Sequence, residues 1–467
     1  MANKRTPYFW WYWQIKRVVF DPFWWVFSIA IILWVPFLRP WWWLFTPLFL
    51  AVELRTLYLW WMNWDYFYAK EKWVVLEIVP PKEVLVPLKA MEDVFAVMWG
   101  PLADNPSWRE RYCEGEFGDA PYWMSFEITS IEGKLHFYAR VLAQHRSSLE
   151  TALYAHYPEL EIREVQDYTK SIPKNLPNEE WDIYGEDFIA PNPAAYPIKT
   201  YEKFFEPQGE KISAEEKRID PIASLLELMS RLGQGEQFWL QFVFGSVDDN
   251  HEPEWREEAD KIIAKITKRP VKKKTSFFDD LISVFRGLAI GPEKEGAGEK
   301  ATYKWAETTA VSETGEREMV LTPGEREILT EIENKLKKPV FRTFIRGFYV
   351  AKREFFNSSH KVLTRPYFGH FQTQNMNYIR FSVATRPKTQ FIFRKRIPYL
   401  RTRRMLRNYV MRFPPHFPDR RKDCNIFSTE ELATIFHFPL KITGLVLPTM
   451  QRVESKKAGP PPNLPTE

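Results

Sequence analysis

A long apolar stretch near the amino terminus limits the environments in which this chain can fold. Residues 18–38 read VVFDPFWWVFSIAIILWVPFL, and Asp21 is their only charged side chain. A helix needs about 20 apolar residues to cross a bilayer, so the stretch is long enough for a short span. Arg39 and Pro40 interrupt it, and a second apolar run follows, WWWLFTPLFLAV. Two apolar helices joined by a short turn predict a transmembrane helical hairpin within residues 1–68.

Tryptophan is concentrated in the same region, where 12 of the 20 tryptophans lie in the first 64 residues. Indole rings favour the boundary between membrane and water. The anchor residues that we predict are Trp24, Trp25, Trp34, Trp41, Trp42 and Trp43. Lysine and arginine both precede and follow the hairpin, so the positive-inside bias places both ends in the cytoplasm. It stays open whether the second run crosses the membrane completely or lies partly in the headgroup layer.

The charge and cysteine content bound the remaining possibilities. The 467 residues carry 65 Lys+Arg against 60 Asp+Glu, a net charge of +5, which is too small to indicate a nucleic-acid binder by itself. Cys113 and Cys424 are the only cysteines, which argues against a disulfide framework or a cysteine-rich zinc site.

Residues 69–170 follow the element order strand, helix, strand, strand, helix, strand, which predicts a ferredoxin-like (split βαβ) domain. We expect strands at 73–81, on both sides of the Glu132-Gly133 turn, and at LEIREVQDY. The expected helices cover 86–100 and 147–159, and Ser147 with Glu150 has the spacing of a capping box at the start of the second.

A second ferredoxin-like domain is predicted at 198–397, after a proline- and aromatic-rich linker at 171–197. Its expected strands are IKTYEKFF, 236–245, 340–354 and 389–397. Its expected helices are 220–233 and a segment near Pro366. An insertion is expected at 246–338. The predicted fold class is therefore α+β: a membrane hairpin followed by two cytoplasmic ferredoxin-like units.

No motif of an enzyme is present in the sequence. The nearest string to a phosphate-binding loop is GPEKEGAGEKAT, which has Ala297 and Gly298 where the lysine and the Ser/Thr are needed. The eight histidines have no metal-ligand spacing. We expect no catalytic residue, no metal and no cofactor.

A basic arm is predicted at 398–424. The stretch 394–422 holds eleven Lys/Arg against one Asp, and Arg401, Arg403, Arg404, Arg407 and Arg412 lie on a predicted helix. Guanidinium groups suit nucleic-acid phosphates, an anionic membrane leaflet or an acidic protein surface, and all three partners stay open.

Residues 425–467 contain FSTEELATIFHFP followed by KKAGPPPNLP. This pair of motifs resembles the segment that immediately precedes the motor domain in HerA/FtsK-like ATPases of type IV secretion and conjugation. The rest is similar in plan to non-ATPase membrane proteins encoded beside such motors in candidate-phyla bacteria. The Walker motifs are absent, so no catalytic residue carries over, and we expect the motor to be a separate polypeptide or to have been lost or cut away.

The resemblance implies a non-enzymatic, membrane-anchored accessory or coupling subunit that docks a P-loop ATPase at the bacterial inner membrane. Its expected docking residues are Ser428, Glu431, His437, Pro460, Pro461 and Pro462, and a homo-oligomer is expected. One alternative is a membrane-tethered protein that binds DNA or another nucleic acid through the basic arm. The other alternative is a structural protein of the cell envelope.

Overall fold

The computed structural model describes the body of the chain and several shorter stretches. The described residues are 30–31, 33–37, 40, 43, 58, 61–62, 70–81, 84, 86–103, 109–114, 122–173, 175–204, 220–247, 254–267, 293–295, 302–304, 321–383, 385–387, 394, 396–412 and 424–439. Among them, no helix is both long enough and apolar enough to cross a bilayer. Trp34 and Trp43 are exposed, and Trp24, Trp25, Trp41 and Trp42 lie outside the described residues. The membrane hairpin stays a prediction.

The described body is α+β and is organised around one large antiparallel sheet. The strands are β1 (Trp73–Val79), β2 (Met124–Ile131), β3 (Lys134–Leu142), β4 (Glu161–Val165), β5 (Trp181–Ile189), β6 (Glu236–Ser246), β7 (Glu293–Glu295), β8 (Thr302–Lys304), β9 (Val340–Lys352), β10 (Arg380–Phe381) and β11 (Asn425–Ser428). The order in the sheet is β10-β5-β9-β6-β2-β3-β1-β4, and β11 pairs with the first residues of β9. Glu132 and Gly133 both have positive φ, so the β2–β3 hairpin closes with the tight turn that the sequence predicts.

Eight helices lie among the described residues. They are α1 (Lys89–Leu102), α2 (Arg146–His156), α3 (Pro221–Ser230), α4 (Glu254–Ile266), α5 (Pro323–Leu336), α6 (Thr364–Gly369), α7 (Arg396–Val410) and α8 (Thr429–Ile435). Asp220 caps α3, because its carboxylate accepts a hydrogen bond from the backbone N–H of Ile222 at 3.0 Å.

The sheet consists of two halves with the same plan. In sequence, β1-α1-β2-β3-α2-β4 and β5-α3-β6-β9-α6-β10 both follow the order strand, helix, strand, strand, helix, strand. In space, each half has the same strand order from the outer edge of the sheet to its centre: fourth strand, first strand, third strand, second strand. The second strands of the two halves pair with each other from Met124↔Phe244 to Ile131↔Gln237, so the halves form one continuous sheet.

Both faces of the sheet are covered. One face carries the larger apolar cluster, in which Phe126, Phe242 and Phe341 meet side chains of α1, α2, α3, α6 and α8. The opposite face carries Trp239 and Phe348, which lie beneath α7. Because consecutive residues of a strand point to opposite faces, a strand buried on both faces is apolar along most of its length, as β6 and β9 are.

Residues 253–337 form a second compact unit. Within it, the described parts are α4, α5 and the β7–β8 hairpin. Thr322 and Glu325 form a capping box at the start of α5.

Four sequence predictions of local structure are wrong. The stretch IKTYEKFF is not a strand, and Tyr201–Phe204 forms a short 3-10 helix. The first strand of the second half is β5, which lies inside the predicted linker. Arg396 and Ile397, at the end of the predicted strand 389–397, belong to α7, and the fourth strand of this half is β10. Helix α2 begins at Arg146 without a side-chain cap, so Ser147 and Glu150 do not form a capping box.

Candidate basic surface and C-terminal core element

Helix α7 holds four of the five predicted basic residues, Arg401, Arg403, Arg404 and Arg407, and its apolar side fixes it to the sheet. Met405, Leu406 and Tyr409 are buried in the cluster formed with Trp239 and Phe348. The Tyr409 ring lies 5.4 Å from the Trp239 ring and 5.1 Å from the Phe348 ring, measured between centroids. These contacts leave the other side of α7 facing outwards.

Arg412 ends this helical segment and is buried. Its Nε donates to Oε1 of Glu127 at 2.9 Å, and its Nη2 donates to Oε2 of the same carboxylate at 3.1 Å. The guanidinium also binds both carboxylate oxygens of Asp167. The Arg412 backbone has φ 54°, in the left-handed region that often follows a helix. That turn brings the side chain back beneath the helix.

Electrostatics holds this cluster in its ionised form. Burial raises the pKa of the Glu127 carboxyl, but the Arg412 charge and the hydrogen bonds from Arg412, Tyr168 and Ser125 outweigh burial and lower it overall. The pKa of Asp167 is lowered in the same way: burial opposes ionisation, and the Arg412 contacts outweigh it. Burial disfavours the Arg412 cation, yet the Glu127 charge raises its pKa well above the ordinary value.

The outward side of α7 alternates cations with apolar side chains. We call this side, together with Met411 directly after the helix, the α7 stripe. Its exposed residues are Arg396, Leu400, Arg403, Arg404, Arg407 and Met411. The Arg403 guanidinium is held 5.5 Å from the centroid of the Tyr399 ring and also donates to the Tyr399 hydroxyl at 3.0 Å. The stripe is therefore partly ordered by its own side chains.

A second group of cations adjoins the start of α7. Arg365 and Arg386 lie 4.4 and 5.0 Å from the centroid of the Phe381 ring, and both pair with the buried Glu186. Arg401 links this group to α7, because its Nη1 donates to the backbone carbonyl of Arg386 at 3.1 Å. This hydrogen bond connects the turn that carries Arg386 to α7.

Sequence reasoning missed this second group, although a charge signal was present. Residues 355–418 hold thirteen Lys/Arg and no Asp or Glu. We call this stretch the acid-free segment. The chain has 60 acidic residues among 467, so an even distribution would place several of them in a stretch of this length. The signal begins well before the predicted arm.

The predicted arm residues fall into three environments. Arg403, Arg404 and Arg407 are exposed, as the prediction of a binding arm requires, and Arg401 is half-buried. The prediction that Arg412 belongs to the binding arm is corrected, since only 1% of its side chain is exposed and it binds carboxylates of this same chain. It positions α7 and is not accessible to an external partner.

The C-terminal motif STEELATIFHFP is a core element of the body. Strand β11 pairs with β9, and Ser428 and Glu431 form the predicted capping box of α8. Glu431 Oε1 also accepts the backbone N–H of Ile198 at 2.8 Å. The Phe436 ring stacks on the Phe126 ring with their centroids 4.5 Å apart.

His437 is also part of the interior. Its Nε2 lies 2.8 Å from an oxygen of Asp220, and its Nδ1 lies 3.0 Å from the backbone carbonyl of Ala433. The prediction that Ser428, Glu431 and His437 contact a partner is therefore wrong, because all three are buried in the chain's own core. Pro460, Pro461 and Pro462 lie outside the described residues.

Within the described part of the chain, no group of three or more His, Cys, Asp or Glu side chains is arranged to hold a metal ion. No protein-family model matches this chain. No curated protein matches it significantly.

Proposed function

We propose that the protein is a non-enzymatic, membrane-anchored accessory subunit of a type IV secretion or conjugation-like machine. In this proposal the N-terminal hairpin holds the body on the cytoplasmic side of a bacterial inner membrane. The body docks a separate P-loop ATPase of the HerA/FtsK type.

The observation that carries the proposal is the position of residues 425–439 in the core. Strand β11 extends the sheet along β9, and α8 packs against α1 with its side chains buried. The segment that follows therefore starts from a fixed point on a folded body. In the ATPases that this sequence resembles, the same motif leads into the motor domain, so this is the point from which we expect residues 440–467 to reach a motor.

The proposal extends to the architecture of the body. We infer that the two halves of the sheet are two ferredoxin-like units that share one supersecondary plan. Their matching element order and strand order support this inference. The pairing of β2 with β6 makes a single platform of them.

The test is co-purification from native membranes with the full chain, followed by mass spectrometry. The informative truncation ends after Pro439, because it keeps every described residue of the body. A chain that ends at Asn425 is not a usable control, since it lacks α8 and the buried Phe427 and Phe436.

A full-length variant with Lys456→Glu and Lys457→Glu tests the same segment without shortening the chain. Its matched control carries Lys134→Glu and Lys170→Glu, at two exposed lysines of the body. We expect a P-loop ATPase with the full chain and the control, and much less of it with the truncation and the 456/457 variant. Equal recovery in all four samples would exclude residues 440–467 as the docking segment.

A further inference from the structure

The acid-free segment combines its cations with most of the exposed apolar side chains of the body. Beyond residue 70, six large apolar side chains are exposed among the described residues: Val97, Tyr154, Phe355, Val383, Leu400 and Met411. Four of the six lie in the acid-free segment. Cations that surround isolated exposed apolar groups are typical of a surface that contacts an anionic bilayer.

Three of these four apolar side chains lie on the α7 stripe or in the turn that is hydrogen-bonded to α7. Leu400 and Met411 are 52% and 46% exposed on the α7 stripe, with arginines between them. Val383 is 61% exposed in the turn before Arg386. The hydrogen bond from Arg401 to the Arg386 carbonyl joins that turn to α7.

We propose that this surface binds the anionic phospholipid headgroups of the membrane. Arginine fits phosphate because its planar guanidinium donates two parallel hydrogen bonds. The acid-free segment has no carboxylate of its own to repel anionic lipid. Leu400, Val383 and Met411 would enter the boundary between headgroups and acyl chains, where short aliphatic side chains gain from burial.

Nucleic acid is the main competing partner, and the exposed side chains favour lipid. Surfaces for single strands place aromatic rings where bases can stack. On the α7 stripe the exposed apolar groups are aliphatic, and the neighbouring Tyr399 ring already lies against Arg403. Aliphatic side chains offer no aromatic face on which a base of a single strand can stack, whereas they can insert between lipid headgroups.

The test places a polarity-sensitive fluorophore on the α7 stripe of the full chain. The label is attached through Leu400→Cys, with Cys113→Ser and Cys424→Ser removing the natural thiols. Vesicles are formed in the presence of the protein, either from phosphatidylcholine alone or with about 30 mol% phosphatidylserine as the anionic lipid. We expect a blue shift of the emission in the anionic vesicles relative to the neutral ones.

Three controls make the result specific. Arg403→Gln, Arg404→Gln and Arg407→Gln together should abolish the shift, whereas Lys134→Gln, Arg163→Gln and Lys170→Gln, also at exposed positions, should preserve it. The same label attached through Tyr154→Cys, at an exposed position of α2, should not respond to the lipid composition. Raising the salt from about 0.1 M to about 1 M shortens the Debye length from about 10 Å to about 3 Å and should reverse the shift.

The proposal is overturned if anionic and neutral vesicles give the same emission, or if the two triple variants behave alike. It is also overturned if DNA added to neutral vesicles gives the arginine-dependent shift and phosphatidylserine does not, which would assign the surface to nucleic acid. The lipid contact does not rest on ATPase docking. Recovery of an ATPase with the 403/404/407 variant would show that the two functions are separate.

Discussion

At the scale of single residues, the end of α7 depends on one guanidinium facing two carboxylates. Replacing Arg412 with methionine keeps most of the volume but leaves Glu127 and Asp167 without the guanidinium that hydrogen-bonds to both. Breaking a buried ion pair from one side costs about 3–5 kcal/mol, and we expect a loss of that size in the free energy of unfolding. Urea unfolding of the full chain in detergent, followed by tryptophan fluorescence, measures it.

The control variant is Arg407→Met, at an exposed position of the same helix, which should cost less than about 0.5 kcal/mol. Similar losses for both variants would contradict the proposed role of Arg412.

The same cluster predicts how stability depends on pH. The pKa of Glu127 is lower in the folded chain than in an unfolded one, because the contacts with Arg412, Tyr168 and Ser125 outweigh burial. Its stabilising contribution is therefore fully present above the ordinary pKa of a glutamate and is lost as the pH falls through the lower, folded value. Below about pH 5, the free energy of unfolding should fall less steeply for Glu127→Gln than for the natural chain. Unfolding curves of both chains at several acidic pH values measure this difference. Equal slopes of the free energy of unfolding against pH for the two chains would contradict an ionised Glu127.

At the scale of elements, regular patterns in the sequence were sufficient for most strands and helices. Strands β1, β2, β3, β6 and β9 were predictable from their apolar runs, and α8 from its capping box. Strand β5 was missed because Glu186 and Asp187 interrupt its apolar pattern. Those carboxylates pair with Arg365 and Arg346, which are 179 and 159 residues away in sequence. Arg412 was misplaced for the same reason, since its partner Glu127 is 285 residues distant and a local charge pattern does not reveal it.

Two capping boxes in different environments allow the effect of burial on helix capping to be measured. Glu431 of α8 is fully buried and accepts the backbone N–H groups of both Ser428 and Ile198. Glu431→Ala leaves two buried donors unpaired and should cost about 3 kcal/mol. Glu325→Ala in α5 leaves the exposed Thr322 N–H to water and should cost about 1 kcal/mol. Hydrogen exchange in the first turn of each helix measures the loss of stability for each variant. Equal losses for Glu431→Ala and Glu325→Ala would mean that burial adds nothing to the stability of the capping box.

At the scale of the whole molecule, the sequence predicted the order of strands and helices that both halves of the sheet share. It did not predict that the two halves pair into one sheet. The pairing of β2 with β6 joins strands about 110 residues apart, and nothing local distinguishes such a pair from two free edges. Side chains from both halves then meet one element, because Phe126 of β2 and Phe242 of β6 both contact Phe436. The C-terminal element is thus a shared part of the core, and this is why its removal should affect both halves together.

The same topology predicts that residues 253–337 can be removed without loss of the sheet. Strands β6 and β9 pair up to Ser246↔Phe341, and the Val247 N–H donates to the Val340 carbonyl at 3.1 Å. Val247 and Val340, which flank the excised unit in the described part of the chain, are therefore adjacent, and about four Gly/Ser residues in place of 253–337 can close the loop between them at little entropic cost. We expect the free energy of unfolding of the body, from urea titration, to stay within about 0.5 kcal/mol of that of the full chain. A chain truncated after Cys424 is the contrasting variant, since it lacks β11 and α8 and should lose cooperative unfolding. If the excised chain also lost its cooperative transition, residues 253–337 would have to contribute to the stability of the sheet.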